Sequence, residues 1–573
     1  MTRPDNAERI TELSAARRKL LAQWSGDDDQ ATTPVSVEER LLVEIWREVL
    51  RTDRIRPTDN FLQLGGDSIT SLQVVARANS RGLRLTSRQV IEAADLQTLA
   101  RSATSAAANP NIHDVATGPV PLTPVQRWFF EQEIPDSHYW DQAVVVEVHR
   151  DVDTDILRHA LRDVLDHHDA LRSRFACQDG RWTQKVPAEA PTAEVIVVDN
   201  GSLEDAIAHA QRCIDLTDGR LVAAALIRGC DGPPRLLLAV HHLVVDGVSL
   251  RILIEDLQTA YCARAAGDVP KLPPKTASMR SWATSLHRYA ASPYITDQLN
   301  YWRSVPAAEA AALPTDHAGA TDTMATCASI TASLDAECTN RLVQQVPRIS
   351  GVQAQHVLLA SLLIAWAGRT GRRELQIDLE GHGREPIDDT SDVSRTVGWF
   401  TSIYPVRLEL HGPAVAVLDR VRRHLDTIPD RGIGYGLLRY LTPAGDGGLA
   451  ALPQSQMSFN YLGRFDQPVG ANSVFGVPVE VPTVLQSDRA TRRYALEIVA
   501  TVSVDRLMVE WRYNRLAFEE ATIRGLVDAQ LAAVTELVTE LSQPTPNPSE
   551  FPLSRLAPQQ LSAVRRQLRG DGA

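Results

Sequence analysis

Two segments of this chain carry side chains that can move a proton. An imidazole lies in His241-His242-Leu243-Val244-Val245-Asp246-Gly247, and a carboxylate in Glu380-Gly381-His382-Gly383-Arg384-Glu385. Neutral imidazole is the usual side chain for taking a proton near physiological pH. A third signal lies far upstream, where Leu64-Gly65-Gly66-Asp67-Ser68-Ile69 presents a serine at a helix start. Free backbone N–H groups there favour a phosphate ester on the hydroxyl. A serine able to carry a flexible arm, with a distant acid/base pair, suggests chemistry on a tethered substrate.

The elements that must position these groups can be read from periodicity. Leu375, Ile377 and Leu379 alternate with Gln376, Asp378 and Glu380, so Glu380 ends the polar face of a strand. Gly381 and Gly383 let the backbone approach another surface closely. The apolar run Leu236-Leu237-Leu238-Ala239-Val240 reads as a buried strand that delivers His241 and His242. Asp246-Gly247 suggests a tight turn in which Asp246 is structural, bonding backbone N–H groups or an arginine, with Arg172 and Arg174 as candidates. Arg384 and Glu385 read as a structural pair. A metal is the rival use of His241, His242, Glu380 and His382, since two histidines and a carboxylate can hold iron. Adjacent histidines cannot both point inward from one strand, and no helical HxxxH spacing exists, so no metal is expected.

A chain of 573 residues exceeds what one core supports, and two or three domains are expected. Residues 8–24 have the pattern of an amphipathic helix, followed by a charged linker, Gly26-Asp27-Asp28-Asp29-Gln30. Leu41, Leu42, Ile45, Trp46, Val49 and Leu50 repeat at helical spacing after a start signal at Ser36, and another helix begins at Asp67 or Ser68. Residues 33–102 thus form a compact helical unit. The small, polar stretch Ser102–Pro110 is a boundary. Beyond it, to about 545, the pattern is mixed: Val144, Val146 and Val148 alternate as a strand, and a helix follows a cap at Asp153. Without a βαβ rhythm this favours α+β. Pro544, Pro546, Pro548 and Pro552 mark a tail with one last helical pattern from Pro558 to Leu568.

Composition excludes several classes. A net charge of -12 with no long basic run argues against a nucleic-acid partner. Cys177, Cys213, Cys230, Cys262, Cys327 and Cys338 show no CxxC and suit reduced thiols. The start lacks an apolar signal core and no apolar run is long enough for a bilayer, so a cytoplasmic protein without a membrane partner is expected.

Phe61-Leu62-Gln63-Leu64-Gly65-Gly66-Asp67-Ser68-Ile69, set in residues 33–102, strongly resembles the attachment site of peptidyl carrier proteins. The resemblance implies a four-helix carrier whose Ser68 receives 4′-phosphopantetheine from a separate phosphopantetheinyl transferase. Asp67, rather than a histidine, resembles carriers that work beside epimerisation domains. The HHxxxDG run resembles the condensation-domain superfamily of nonribosomal peptide synthetases, whose fold joins two chloramphenicol-acetyltransferase-like lobes. Further segments resemble its epimerisation branch. They are Pro121–Phe130, His168–Phe175, Glu380–Glu385 (EGHGRE), Asp392–Thr401 and Phe459-Asn460-Tyr461-Leu462-Gly463-Arg464-Phe465-Asp466. The likeness runs from about 119 to 540, giving an expected two-lobed domain over 119–545, a linker at 103–118 and a tail from 546. Leu250 stands where the branch commonly has tryptophan, and Tyr139-Trp140-Asp141-Gln142 varies a usual WNQ. Both departures bear on the shape of the substrate channel.

By this resemblance the chain epimerises, L to D, the α-carbon of an aminoacyl or peptidyl thioester held on the arm. Glu380 is then the base for the L-residue's α-proton, and His242 the donor or enolate stabiliser, with the reverse reaction exchanging the roles. Asn460 and Tyr461 line the site; Asp246 and Arg172 support it. No nucleophile or nucleotide is consumed. No adenylation segment is found, so loading is expected from another chain or from parts missing here, with adenylation and downstream condensation domains of other synthetase subunits as the expected partners. A condensing acyltransferase, with His242 assisting amine attack, and a non-catalytic carrier-docking platform are the alternatives.

Overall fold

A computed structural model describes residues 36–52, 54–105, 117–149, 151–229, 233–311, 313–388, 391–442, 447–464 and 473–542. The helical patterns at 8–24 and 558–568, and Cys230, lie outside the described residues.

The first unit is four helices, α1 (Val37–Leu50), α2 (Ser68–Ser80), α3 (Ser87–Glu92) and α4 (Leu96–Ser102). Each begins at a side-chain cap that satisfies an otherwise orphaned N–H: Ser36, Asp67, Thr86 and Asp95 accept from the third residue onward. Their apolar stripes close on a core of their own, centred on Trp46 and Phe61, whose rings lie 5.2 Å apart. The loop before α2 abuts the larger domain. Gly65 has φ +86°, and a Cβ there would sit 2.3 Å from the Val343 carbonyl oxygen, so only glycine fits. Gln353 Nε2 donates to the Leu62 carbonyl at 3.3 Å, and Asn79 Nδ2 to Asp392 at 2.8 Å.

The larger domain is built on two large sheets and also holds a small three-stranded one formed by Gly118–Val120, Arg181–Val186 and Arg174–Gln178. In the first, β1 (Trp140–Val148), β2 (Glu194–Asp199), β3 (Val222–Arg228) and β4 (Arg235–His241) are joined by a strand from much later in the chain, β9 (Phe475–Gln486), in the order β9-β1-β4-β3-β2. Both faces are covered, which explains the uninterrupted apolar run of β4. Val144, Val146 and Leu238 pack in the main core with α5 (Thr154–His167) and α6 (Gly247–Ala265), while Ala143, Val145 and Leu237 pack against the helix Leu203–Cys213.

The second sheet contains β5 (Cys327–Ser333), β6 (Glu374–Gly381), β7 (Ser402–Glu409), β8 (Met457–Arg464), β10 (Leu496–Ser503) and β11 (Arg506–Asn514), in the order β5-β11-β10-β8-β6-β7. Its apolar face, with Leu375, Ile377, Leu379, Phe459, Ile498 and Trp511, lies in the core with α7 (Ala354–Thr370) and α8 (Glu520–Leu541). The opposite face is polar. Asp378, Ser458, Glu497 and Arg512 stand in register across four strands, and Glu380 and Asn460 lie two residues further along β6 and β8. Such a face normally meets solvent; here most of it lines an internal cavity.

Among the described residues no single helix is long and apolar enough to cross a membrane. The bent pair Ala336–Ser350 and Ala354–Thr370, at 106°, passes that test only jointly.

Candidate active site

Strand β4 ends at His241, and the chain turns at once through His242–Val244. The two rings diverge. His241 is fully buried, with Nε2 on the Ser137 carbonyl at 2.9 Å and Nδ1 accepting the Leu243 N–H at 3.2 Å, so both its nitrogens are committed to backbone. His242 Nδ1 lies 2.8 Å from the Val245 carbonyl. A carbonyl only accepts, so Nδ1 carries the proton and Nε2 keeps a lone pair. Its ring packs on Trp399, with centroids 4.3 Å apart. Burial holds the imidazole below its ordinary range, hence neutral at physiological pH.

Asp246 caps α6, accepting the Ser249 N–H at 2.7 Å. Its carboxylate also takes Arg384 Nη2 at 3.0 and 3.2 Å and the Phe400 N–H at 3.2 Å. The guanidinium of Arg384 is fully buried, donates to the Val393 and Thr396 carbonyls, and lies 3.8 Å above the Phe400 ring. The arginine expected for Asp246 is therefore Arg384, neither Arg172 nor Arg174. Arg172 lies outside the cavity, bonded to Asp169 at 2.6 Å and to the Leu165 and Asp166 carbonyls. With four acceptors close by, the Pro187 carbonyl among them, it is engaged locally and is not brought to the cavity. Nor does Arg384 pair with Glu385, which faces His382 Nε2 at 3.3 Å. Between these residues Gly383 has φ +66°, and a Cβ would fall 1.7 Å from the Phe400 carbonyl oxygen.

Glu380 sits at the end of β6. Asn460 Nδ2 donates to its Oε2 at 2.7 Å. Desolvation, then the neighbouring Glu497 and Asp378 carboxylates, push its pKa up to about 7. The side chain keeps some accessible surface because it borders the cavity, yet protein encloses it. Asp378, one pleat back, is held by the Tyr494 hydroxyl at 2.9 Å.

One cavity of about 510 Å³ is lined by Ser68, His242, Asp246, Glu380, Asn460 and Tyr461. Ser68 occupies the first turn of α2, at the edge where the carrier meets the large domain. A tether on its hydroxyl fits this geometry, because the space that Ser68 borders is the space that His242 and Glu380 border. Trp128 and Trp399, with ring centroids 6.1 Å apart, belong to this cavity and to a second one of about 330 Å³.

Periodicity does not mark Trp399, Tyr494 and Glu497 as site residues. The first lies within a motif without a role, and β10 gives no signal beyond strand alternation. Of the two departures, Leu250 is buried and lines neither cavity, whereas Trp140 and Gln142 line the first. Elsewhere His167, His168 and Asp256 cluster at metal-ligand spacing. Arg395, however, already holds Asp256 at 2.6 Å, and His168 holds it at 2.9 Å, so that carboxylate is engaged.

Residues 116–551 match the family described as the condensation domain, and residues 40–102 the phosphopantetheine attachment site. A linear gramicidin synthase subunit from Brevibacillus parabrevis is 38% identical over 554 residues, 92% of this chain and 7% of that protein. Surfactin synthase subunit 1 of Bacillus subtilis is 34% identical over 88% of this chain and 14% of its own length. The chain thus spans a small part of these curated relatives. Among solved structures, the epimerization domain from the third module of tyrocidine synthetase B is 33% identical with a TM-score of 0.69, covering 74% of this chain and 97% of its own. The first condensation domain of the CDA synthetase covers the same fold at 20% identity, TM-score 0.58, over 75% of this chain and 97% of its own.

Proposed function

The chain belongs to the condensation-domain family and carries its own phosphopantetheine attachment region, and from that premise we propose that it inverts, L to D, the α-carbon of an aminoacyl or peptidyl group held on Ser68. The observation that carries this reading is Glu380, a carboxyl with pKa about 7 in the same cavity as a neutral imidazole. The likeness to an epimerization domain at 33% identity supports it. When bound, the phosphopantetheine arm supplies a thioester, whose carbonyl acidifies the α-hydrogen beside it.

Inversion needs a proton taken from one face of the α-carbon and another returned to the opposite face. The pair must therefore hold one proton between them. With the carboxyl raised and the imidazole lowered, that proton rests on Glu380, leaving Nε2 of His242 as the acceptor. His242 removes the α-proton, and the Glu380 carboxylic acid protonates the other face. The direction preferred from the sequence, with Glu380 as first base, requires the imidazolium, the less populated form here. Asn460 stabilises the carboxylate that results, and the Asp246–Arg384 pair fixes the start of α6 beside His242. Phosphopantetheinyl transferase, adenylation and downstream condensation domains are the partners this reading requires.

The test is an aminoacyl group loaded on Ser68 in deuterated buffer, followed by mass and chiral analysis of the released acid. The expected result is α-deuteration with mixed L and D product, lost in Glu380→Gln. Wild-type chain that yields neither label nor D product sinks the reading, and a new amide bond marks condensation instead.

A further inference from the structure

Esterifying the Ser68 hydroxyl with phosphopantetheine places a negative phosphodiester one residue from the Asp67 carboxylate. Asp67 cannot swing away. Its Oδ1 accepts the Thr70 N–H at 2.7 Å and the Thr70 hydroxyl at 2.8 Å, and a Cβ on Gly463 would lie 3.1 Å from its Oδ2. Two anions confined at a cavity rim call for a cation between them, and a guanidinium, planar and weakly hydrated, is the side chain best suited to phosphate.

Arg251 stands at that rim. It lies on α6 about one turn beyond Gly247, and both residues line the same cavity as Asp67 and Ser68. Its Nη2 donates to the Arg464 carbonyl at 3.1 Å. Arg464 is the neighbour of Gly463, against which Asp67 rests, so guanidinium and carboxylate bracket the same two residues of β8. Burial opposes the charge on Arg251, as do the neighbouring Arg77 and Arg51, while Glu255 and Asp67 favour it. Three other arginines of the cavity also hold partners: Arg512 with Glu510 at 2.9 Å, Arg492 with Asp322 at 3.5 Å, and Arg493 with the Ser455 carbonyl at 3.5 Å.

We propose that Arg251 clamps the phosphate of the arm on Ser68, setting how deeply the arm enters the cavity. It is a positioning residue. Fixing the phosphate at the rim fixes the reach of the thioester end toward His242 and Glu380, where an error of about 1 Å costs orders of magnitude in rate. The inference rests on attachment at Ser68 and is separate from which reaction follows.

The test uses the full chain, apo and phosphopantetheinylated, as wild type, Arg251→Gln and Arg251→Lys. Maleimide alkylation of the arm's terminal thiol is followed by mass on the Ser68-bearing peptide, so that the exposed Cys177 and Cys262 do not interfere. The phosphodiester is followed by ³¹P NMR. Arg251→Gln is expected to speed alkylation about fivefold or more, and to move the ³¹P resonance toward that of a free holo-peptide, with Arg251→Lys between. Amide exchange over residues 62–69 of the apo chain should not change. Wild-type alkylation and an unmoved resonance in Arg251→Gln overturn the clamp. So does faster amide exchange already in the apo variant, which marks Arg251 as a docking residue. If wild type shows no α-deuteration yet its arm is protected through Arg251, the epimerisation reading falls and the clamp stands.

Discussion

Asp246 and Glu380 are both carboxylates enclosed in the large domain, and their surroundings could hardly differ more. Asp246 receives a buried guanidinium and two backbone N–H groups. Glu380 receives one amide N–H and faces two further carboxylates. The first is a charge whose every demand is met, and it holds α6 to the segment around Phe400. The second is kept near its titration point by what it lacks. A fully satisfied carboxylate shapes the fold; an under-satisfied one can exchange protons.

The largest effect should come from removing the titrating member. Glu380→Gln is expected to lower α-deuterium exchange on the Ser68-bound group by about 10²–10⁴-fold. Its stability should change in the opposite sense. A carboxyl raised from 4.5 to about 7 contributes stability that is full below the unfolded pKa and is lost as pH rises through 7. Urea denaturation at pH 8 should therefore show the glutamine variant more stable than wild type, by up to about 3 kcal/mol, with the difference gone at pH 4. Equal stability at both pH values would mean that the carboxyl titrates in its ordinary range.

Breaking the satisfied pair comes next. Arg384→Met strands Asp246 as a buried, uncompensated charge, and should destabilise the large domain by about 3–5 kcal/mol in urea denaturation. An intact melting profile with lost exchange would instead make Arg384 a chemical group.

The pH profile sharpens the contrast further. With Glu380 as the acid, wild-type exchange should fall as pH rises through about 7. Asn460→Ala removes a donor that favours the ionised form, so the alkaline limb should move upward. A rate that climbs through pH 7 would restore Glu380 as the first base.

The smallest effect is expected at Asp141. Its oxygens are buried without a hydrogen-bond partner among the described residues, and burial pushes its carboxyl well up. Burial that disfavours its charge makes the neutral amide a close substitute, so Asp141→Asn near pH 6 should change stability by less than about 1 kcal/mol.

Much of the positioning was legible in the sequence. Period-2 alternation set Glu380 on the polar face of β6, and an apolar run ending in two histidines located β4 and its turn. Cap residues at Ser36 and Asp153 marked helix starts to the residue, and the start expected at Asp67 or Ser68 falls at Ser68. Periodicity could not tell whether a polar face meets water or a cavity, because the covering surface comes from the other lobe and the carrier. The Asp246–Arg384 pair spans 138 residues and follows no local spacing, so a reading along the chain favours nearer arginines. Trp399 is hidden likewise: its packing on His242 exists only once two distant segments meet.

The carrier's loop at Gly65 and Ser68 is part of the cavity's own wall, pressed backbone to backbone against Val343. A group tethered there enters the cavity with the carrier seated against its wall, and it passes to a later enzyme only when the carrier lifts. Delivery and release are then one mechanical event, and under the proposed reaction the lifetime of this docking sets how many inversions a substrate undergoes before it moves on.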